Sequence, residues 1–247
     1  MIEPFHEQAG VTLYHGDARV VLNQMCLNPA HTVVITDPPW PNGPKDLLDS
    51  WKCHSPFALF ASVCPDLARL ARRLVIHLGC QSDPRILGAI PESMPFVRQC
   101  NLEYSVPKYS GTVLNSGDIA YVFGSHESPD GMTLIPGKKI ASRSSIGWKS
   151  RRGKGHPAVR YLTHVAWLVA NLTQPGDVVL DPFCGSGTTL RAAIDHGRRA
   201  VGIEEHKSYC EETVDRLSPG VLFSSDPPMK VEEPFCCRVE KGTNQDE

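Results

Sequence analysis

The chain has 247 residues, enough to bury a sizeable core in one domain, and its 41% hydrophobic and 21% charged content is that of an ordinary folded protein. No apolar run approaches the roughly 18 residues needed to span a bilayer, and the stretch from Met1 to Gly10 lacks the apolar centre of a signal peptide, so a cytoplasmic protein is expected. Nine cysteines without a Cys-x-x-Cys pair argue against a disulfide scaffold or a zinc ribbon; they read as reduced thiols, and no metal is expected.

Val11 to Tyr14 is a short strand ending at His15-Gly16-Asp17, and Ala18 to Met25 follows with helical spacing. Asp17 at this junction is either the helix N-cap or a ligand contact at a strand end. Val33, Val34 and Ile35 form a buried parallel strand, and Asp37-Pro38-Pro39-Trp40 stands at its carboxyl end, where open α/β sheets bind ligands. Two consecutive prolines fix φ and bring no N–H, so their carbonyls point into a cleft beside a carboxylate and a flat aromatic face. Such a set suits an amino group on a planar ring: Asp37 and a proline carbonyl accept its two hydrogens while Trp40 stacks on the ring. The alternative is a turn followed by a core aromatic.

Pro41 to Ser50 is a loop that either closes over the cleft or merely connects elements. Ser55-Pro56 opens a helix in which Phe57, Phe60, Val63, Leu67, Leu70 and Leu74 recur at threes and fours. Leu74 to Leu78 is the next strand, ending at Gly79, and Asp83-Pro84 starts a short helix through Ile90. Phe96 to Val106 and Ile119 to Phe123 read as two further strands, neither with an obvious chemical group.

The net charge of −2 is unevenly spread: from Val221 onward six acids and three bases give −3, leaving the body near +1. Within the body, Gly131 to His156 has no clear period and no acid, and gathers Lys138, Lys139, Arg143, Lys149, Arg151, Arg152 and Lys154 among serines, glycines and Trp148. A solvated loop is one reading. Bases for phosphates with an aromatic for stacking favour the other, a nucleic-acid contact.

His156-Pro157 begins a helix with Leu162, Val165, Ala166, Val169 and Leu172 on one stripe, ended by Pro175-Gly176. Val178 to Leu180 is a buried strand running into Asp181-Pro182-Phe183-Cys184-Gly185-Ser186-Gly187-Thr188-Thr189, with a helix after it. The glycines let the backbone turn sharply and approach a ligand, and the new helix presents free N–H groups. No lysine follows Gly187, and Leu190 stands where a dinucleotide fingerprint wants a third small residue. Ala200 to Ile203 is the next strand and closes with Glu204, placed where Rossmann-like sheets grip a ribose diol; a surface acid beside Glu205 is the alternative. Glycine loop and distal acid together suggest a nucleoside cofactor without a demand for phosphate, which S-adenosylmethionine fits. From Pro219 the chain turns polar and reads as a tail.

These residues resemble the DNA amino-methyltransferases, specifically adenine-N6 enzymes in which the catalytic motif precedes the cofactor motif. Thr36 to Trp40 is similar to their catalytic motif, His156-Pro157-Ala158 to the motif before the cofactor strand, Asp181 to Thr189 to their cofactor loop, and Gly16-Asp17 to their lead-in. The resemblance spans about residues 11 to 217 and implies an α/β, Rossmann-like fold with a mostly parallel seven-stranded sheet and helices on both faces. A methyltransferase domain over 1–217, with a basic target-binding insertion at about 125–156, would precede a tail over 218–247. By likeness Asp37, Pro38, Pro39 and Trp40 are catalytic. Asp181, Pro182, Phe183, Gly185, Ser186, Gly187 and Thr188 line the S-adenosylmethionine pocket, Glu204 holds the ribose hydroxyls and Asp17 approaches the adenine. The partner implied is DNA, met by a monomer or homodimer. Trp40 in place of the more frequent Tyr or Phe is shared with RNA adenosine methyltransferases. Cytosine-N4 enzymes usually carry Ser at the position of Asp37, and cytosine-C5 chemistry would need a Pro-Cys dipeptide at a strand end that this chain lacks. A non-catalytic nucleic-acid-binding subunit is the remaining alternative.

Overall fold

Thr32–Thr36 is buried on every residue, as a strand covered on both faces must be, and the sheet is arranged around it. The computed structural model describes residues 2–40, 55–110, 112–128, 131–132, 137–140 and 159–218. In chain order these form β1 (His6–Gln8), β2 (Val11–His15), α1 (Ala18–Gln24), β3 (Thr32–Thr36), α2 (Pro56–Leu70), β4 (Arg73–Gly79), β5 (Phe96–Ser110) and β6 (Val113–Gly124). The two-residue β7 (Glu127–Ser128) and β8 (Gly131–Met132) follow, then β9 (Lys138–Ile140), α3 (Leu162–Leu172), β10 (Val178–Asp181), α4 (Thr188–Asp195), β11 (Arg199–Glu204) and α5 (Lys207–Leu217).

The main sheet has the order β1-β2-β11-β10-β3-β4-β6-β5-β9. Its seven central strands are the expected ones, and the three-residue β1 and β9 add an edge at each side. Strands β2, β11, β10, β3 and β4 pair in parallel, whereas β6 pairs antiparallel with both β4 and β5. The side chains of β3 divide between the faces: Val33 and Ile35 join one core with α3 and α4, and Val34 joins the other with α1 and α2. This is the expected doubly covered architecture.

From β3 the chain moves outward to β4, and from β10 it moves the opposite way to β11. The order therefore reverses between β3 and β10, and a crevice opens at their carboxyl ends, where Asp37 and Asp181 stand.

Several boundaries differ from the sequence reading. Helix α2 ends at Leu70, so Leu74 belongs to β4; its helical phase is a coincidence of an all-buried strand. The helix anticipated from His156-Pro157 starts at Leu162, with Tyr161 as an N-cap that makes no side-chain cap bond, and Val159 to Tyr161 precede it without regular structure. Asp83 caps a 3-10 turn, Pro84–Ala89. Strands β5 and β6 run well past their anticipated ends, and strand pieces β8 and β9 lie within the segment read as aperiodic. The loop after Trp40, residues 41–54, and the tail from 219 lie outside the described residues.

Candidate active site

At one end of the crevice the loop after β10 is shaped by its glycines. Gly185 and Gly187 adopt φ of +53° and +77°, a region that strains other residues, and a Cβ on Gly187 would lie 2.6 Å from the Thr213 side chain. Gly187 is the N-cap of α4 and sets the turn without lining the cavity, whereas Pro182, Phe183, Gly185, Ser186 and Thr188 do line it. Thr188 also takes a hydrogen bond from the Arg216 guanidinium.

Glu204, at the end of β11, is buried rather than a surface acid. Its two carboxylate oxygens accept from Gly185 N–H at 3.0 Å and His206 N–H at 2.7 Å, so the acid ties the glycine loop to the start of α5. Burial pushes this carboxyl up to about 7, against the pull of those two donors. Asp181 is held by Thr36, whose hydroxyl donates to it at 2.7 Å, and by Phe183 N–H at 3.2 Å; burial pushes it up to about 6. The Thr36 bond joins the two motifs directly, because Asp37 is the next residue. Asp17 is the N-cap of α1, accepting from Arg19 N–H at 2.8 Å and from the Arg19 guanidinium, and it is among the residues that border the cavity.

The same cavity continues past Thr36 to Asp37, Pro39 and Trp40; Pro38 is buried and does not line it. Asp37 is gripped from the side by Arg160, Nε to Oδ2 at 2.6 Å and Nη2 to Oδ1 at 2.9 Å, a bidentate fork. The guanidinium carbon lies 5.2 Å from the centre of the Trp40 ring, and its Nη1 reaches Asp118 on β6 at 3.2 Å. Asp118 in turn accepts from the Tyr104 hydroxyl at 2.6 Å and lies 3.1 Å from His77 Nε2. Burial alone would raise Asp118, yet His77, Arg160 and Tyr104 together hold it well below the usual carboxylate range. Burial likewise opposes the charge on Arg160, and the two carboxylates more than offset it. Asp37 and Asp118 thus share the one guanidinium of Arg160.

Arg160, Asp118, His77 and Tyr104 are absent from the sequence reading, which found no chemical group in Phe96 to Val106, where Tyr104 lies, and began the next strand at Ile119, one residue after Asp118. A signal for Asp118 existed: it shares the buried phase of β6 with Ala120 and Val122, where a charge needs partners. A second cavity opens beyond Trp40 and Arg160, bordered by Gly79, Ser82, Tyr104, Asn115 and Tyr161.

Of the basic segment, Lys138 is exposed and its Nζ pairs with Glu103 at 3.0 Å, and Lys139 lies in β9. Arg143, Trp148, Lys149, Arg151, Arg152 and Lys154 lie outside the described residues, as does His156-Pro157-Ala158. Among the described residues no helix is long and apolar enough to cross a membrane. Cys64, Cys100, Cys184 and Cys210 are buried and in no disulfide, whereas Cys26 and Cys80 are exposed.

Residues 96–215 match the family described as DNA methylase. The putative methylase YubD of Escherichia coli K12 is 36% identical over 103 residues, which cover 40% of this chain and 44% of YubD, so the match spans less than half of that protein. DNA adenine methyltransferase YhdJ of the same organism is 24% identical over 268 aligned positions, covering 90% of this chain and 87% of its own length. Among solved structures, PvuII DNA methyltransferase, cytosine-N4-specific, superposes with a TM-score of 0.70 at 18% identity, covering 90% of this chain and 91% of its own. The M1.HpyAVI–SAM complex superposes with a TM-score of 0.59 at 20% identity, covering 84% and 100%. These two likenesses speak for the fold.

Proposed function

We propose, for a chain whose residues 96–215 belong to the DNA methylase family, that it transfers a methyl group from S-adenosylmethionine to the exocyclic N6 amino group of adenine in DNA. The observation that carries the reading is one continuous cavity with Glu204 and the glycine loop at one end and Asp37, Pro39 and Trp40 at the other. In this reading residues 1–217 are the methyltransferase domain and about 125–156 a basic target-binding insertion.

The cavity fits the cofactor. Each Glu204 oxygen keeps a lone pair beyond its backbone donor, enough to accept from a ribose diol, and Ser186 and Thr188 give the loop a polar lining. Phe183 and Pro182 offer apolar surface beside it, and Asp17 borders the same space. When bound there, S-adenosylmethionine supplies a methyl group on a sulfonium.

The chain's own part in the chemistry lies at Asp37. An adenine amino nitrogen is a poor nucleophile because its lone pair is delocalised into the ring. Asp37 accepts an amino hydrogen and favours the tetrahedral nitrogen, while Trp40 stacks on the ring and offsets part of the few kcal/mol needed to extrude a base; Pro38, which does not line the cavity, serves to fix the backbone between them. Arg160 donates to both oxygens of Asp37 and fixes the plane of its carboxylate. Asp118 draws on the same guanidinium, so Arg160 does not fully neutralise the carboxylate that faces the nitrogen as it becomes positive.

Asp37, where cytosine-N4 enzymes usually carry Ser, favours adenine. The test is transfer of a labelled methyl group to duplex DNA, single-stranded DNA and RNA in parallel, with the modified base identified by mass. N6-methyladenine in DNA is the expected product. N4-methylcytosine would move the assignment to the cytosine reading, transfer to RNA alone would overturn the polymer, and no transfer to any of them would favour a binding subunit.

A further inference from the structure

Of the large apolar side chains left exposed, four gather where β5 turns into β6: Val106, Tyr109, Val113 and Leu114, between 50% and 75% exposed. The sheet does not support them. β6 leaves β4 at the Gly79 to Asp118 pair, and β9 accompanies β5 only over Asn101 to Glu103. Beyond those points the described strand residues of the Tyr104 to Gly117 hairpin pair only with each other, in the register Lys108 to Asn115, Tyr109 to Leu114 and Ser110 to Val113.

The direction of this two-stranded ribbon is fixed by topology. β5 is antiparallel to β6 and β6 to β4, so β5 runs with β4 and β3 and continues past their carboxyl ends, the side that carries Asp37 and Gly79. Its root belongs to the second cavity, which Tyr104 and Asn115 line. The register shifts between Glu103 and Lys108, where β5 carries three more residues than β6, so β6 sets the reach: four residues from Gly117 to Val113, at about 3.3 Å each, put the tip roughly 13 Å beyond the Gly117 pair. Tyr109 and Leu114 stand directly opposite each other and therefore share a face.

The composition selects the partner. Between Glu103 and Asp118 the sequence has no carboxylate; it offers Lys108, hydroxyls, an amide and the apolar tip. A polyanion meets no repulsion there, and a two-stranded ribbon fits a major groove. An apolar pair at its end has the form of the wedges that proteins insert between base steps.

We propose that the Tyr104 to Gly117 ribbon is a duplex-DNA contact and that Tyr109 and Leu114 press into the base stack as the target base leaves it. This rests on the reading that the polymer is DNA. It adds a surface separate from the basic insertion and assigns it work, separating stacked bases, that a single strand would not require.

The test uses the full-length protein and a duplex that the parent methylates, with 2-aminopurine at the target position, beside the same strand unpaired. Both side chains are exposed, so Tyr109→Ser with Leu114→Ser should leave the melting temperature and S-adenosylmethionine affinity as in the parent. The double variant should bind the duplex about tenfold or more weakly, lose the fluorescence rise that marks an extruded base, and methylate the single strand at the parental rate. Tyr109→Phe, which keeps the apolar ring, should retain parental behaviour. Unchanged duplex affinity and fluorescence in an active double variant would overturn the ribbon's role and leave the methyltransferase reading standing. A parent that sediments as a dimer and a double variant that sediments as a monomer would assign the tip to a second copy of the chain instead. A parent that methylates no DNA would overturn both.

Discussion

The two ends of the cavity are built by different means. At the cofactor end, the groups come from one run, Pro182 to Thr188, and one acid, and they are held by backbone: Glu204 accepts from the N–H groups of Gly185 and His206, and the Gly187 turn is set by its left-handed φ. At the target end, Asp37, His77, Tyr104, Asp118 and Arg160 come from four strands or strand ends and a loop, and side-chain charges hold them to one another. A backbone-held site depends little on any one neighbouring side chain. A charge network in low dielectric depends on every member, because each buried ion left unpaired is costly.

The comparison breaks most sharply at Asp37. Asp37→Ala should lower methyl transfer by about 10²–10³ or more, the scale of losing a hydrogen bond that strengthens as charge develops, while cofactor affinity measured by calorimetry stays near parental. An equal loss of cofactor affinity would mean that the two ends are not independent. Asp118→Asn should act more mildly: Arg160 then pairs with Asp37 alone and neutralises it more fully, and transfer falls about tenfold, or 1.4 kcal/mol of barrier, with KM for the cofactor unchanged. A change in KM alone would mark Asp118 as a scaffold residue.

The cofactor end should instead respond to pH. The folded-state pKa of Glu204 is raised by burial from the ordinary value to about 7. Its share of apo stability is therefore fully present below about 4.5 and is lost as pH rises through about 7. A ribose diol donates best to the ionised form, so cofactor affinity should rise through the same window, by up to about tenfold per pH unit. The gap in melting temperature between cofactor-loaded and apo protein should widen from pH 5 to pH 8. A constant gap would remove Glu204 from the binding step.

The same contrast explains what could be read from the sequence. Asp181 to Thr189 is legible because one short run both makes the turn and offers its donors, and Asp37 to Trp40 is legible because two prolines after a buried strand leave few conformations. The network around Asp37 was not legible as a unit, since Arg160 lies 123 positions from the carboxylate it grips. The misplaced start of α3 has the same root: helical spacing from Pro157 gave no sign that Val159 to Tyr161 would stay out of the helix, which is where Arg160 reaches both carboxylates. The extent of β5 and β6 was missed because their free ribbon pairs with itself rather than with a core, so no alternation marks it.

The account turns on the separation of the two ends, and one measurement tests it: the single-turnover rate of methyl transfer as a function of S-adenosylmethionine concentration, for Glu204→Ala and Asp37→Ala side by side with the parent. The Glu204 variant should need more cofactor and then approach the parental rate. The Asp37 variant should saturate at the parental concentration and remain about 10²–10³ slower. A Glu204 variant that stays slow at saturation, or an Asp37 variant that recovers with added cofactor, would contradict it.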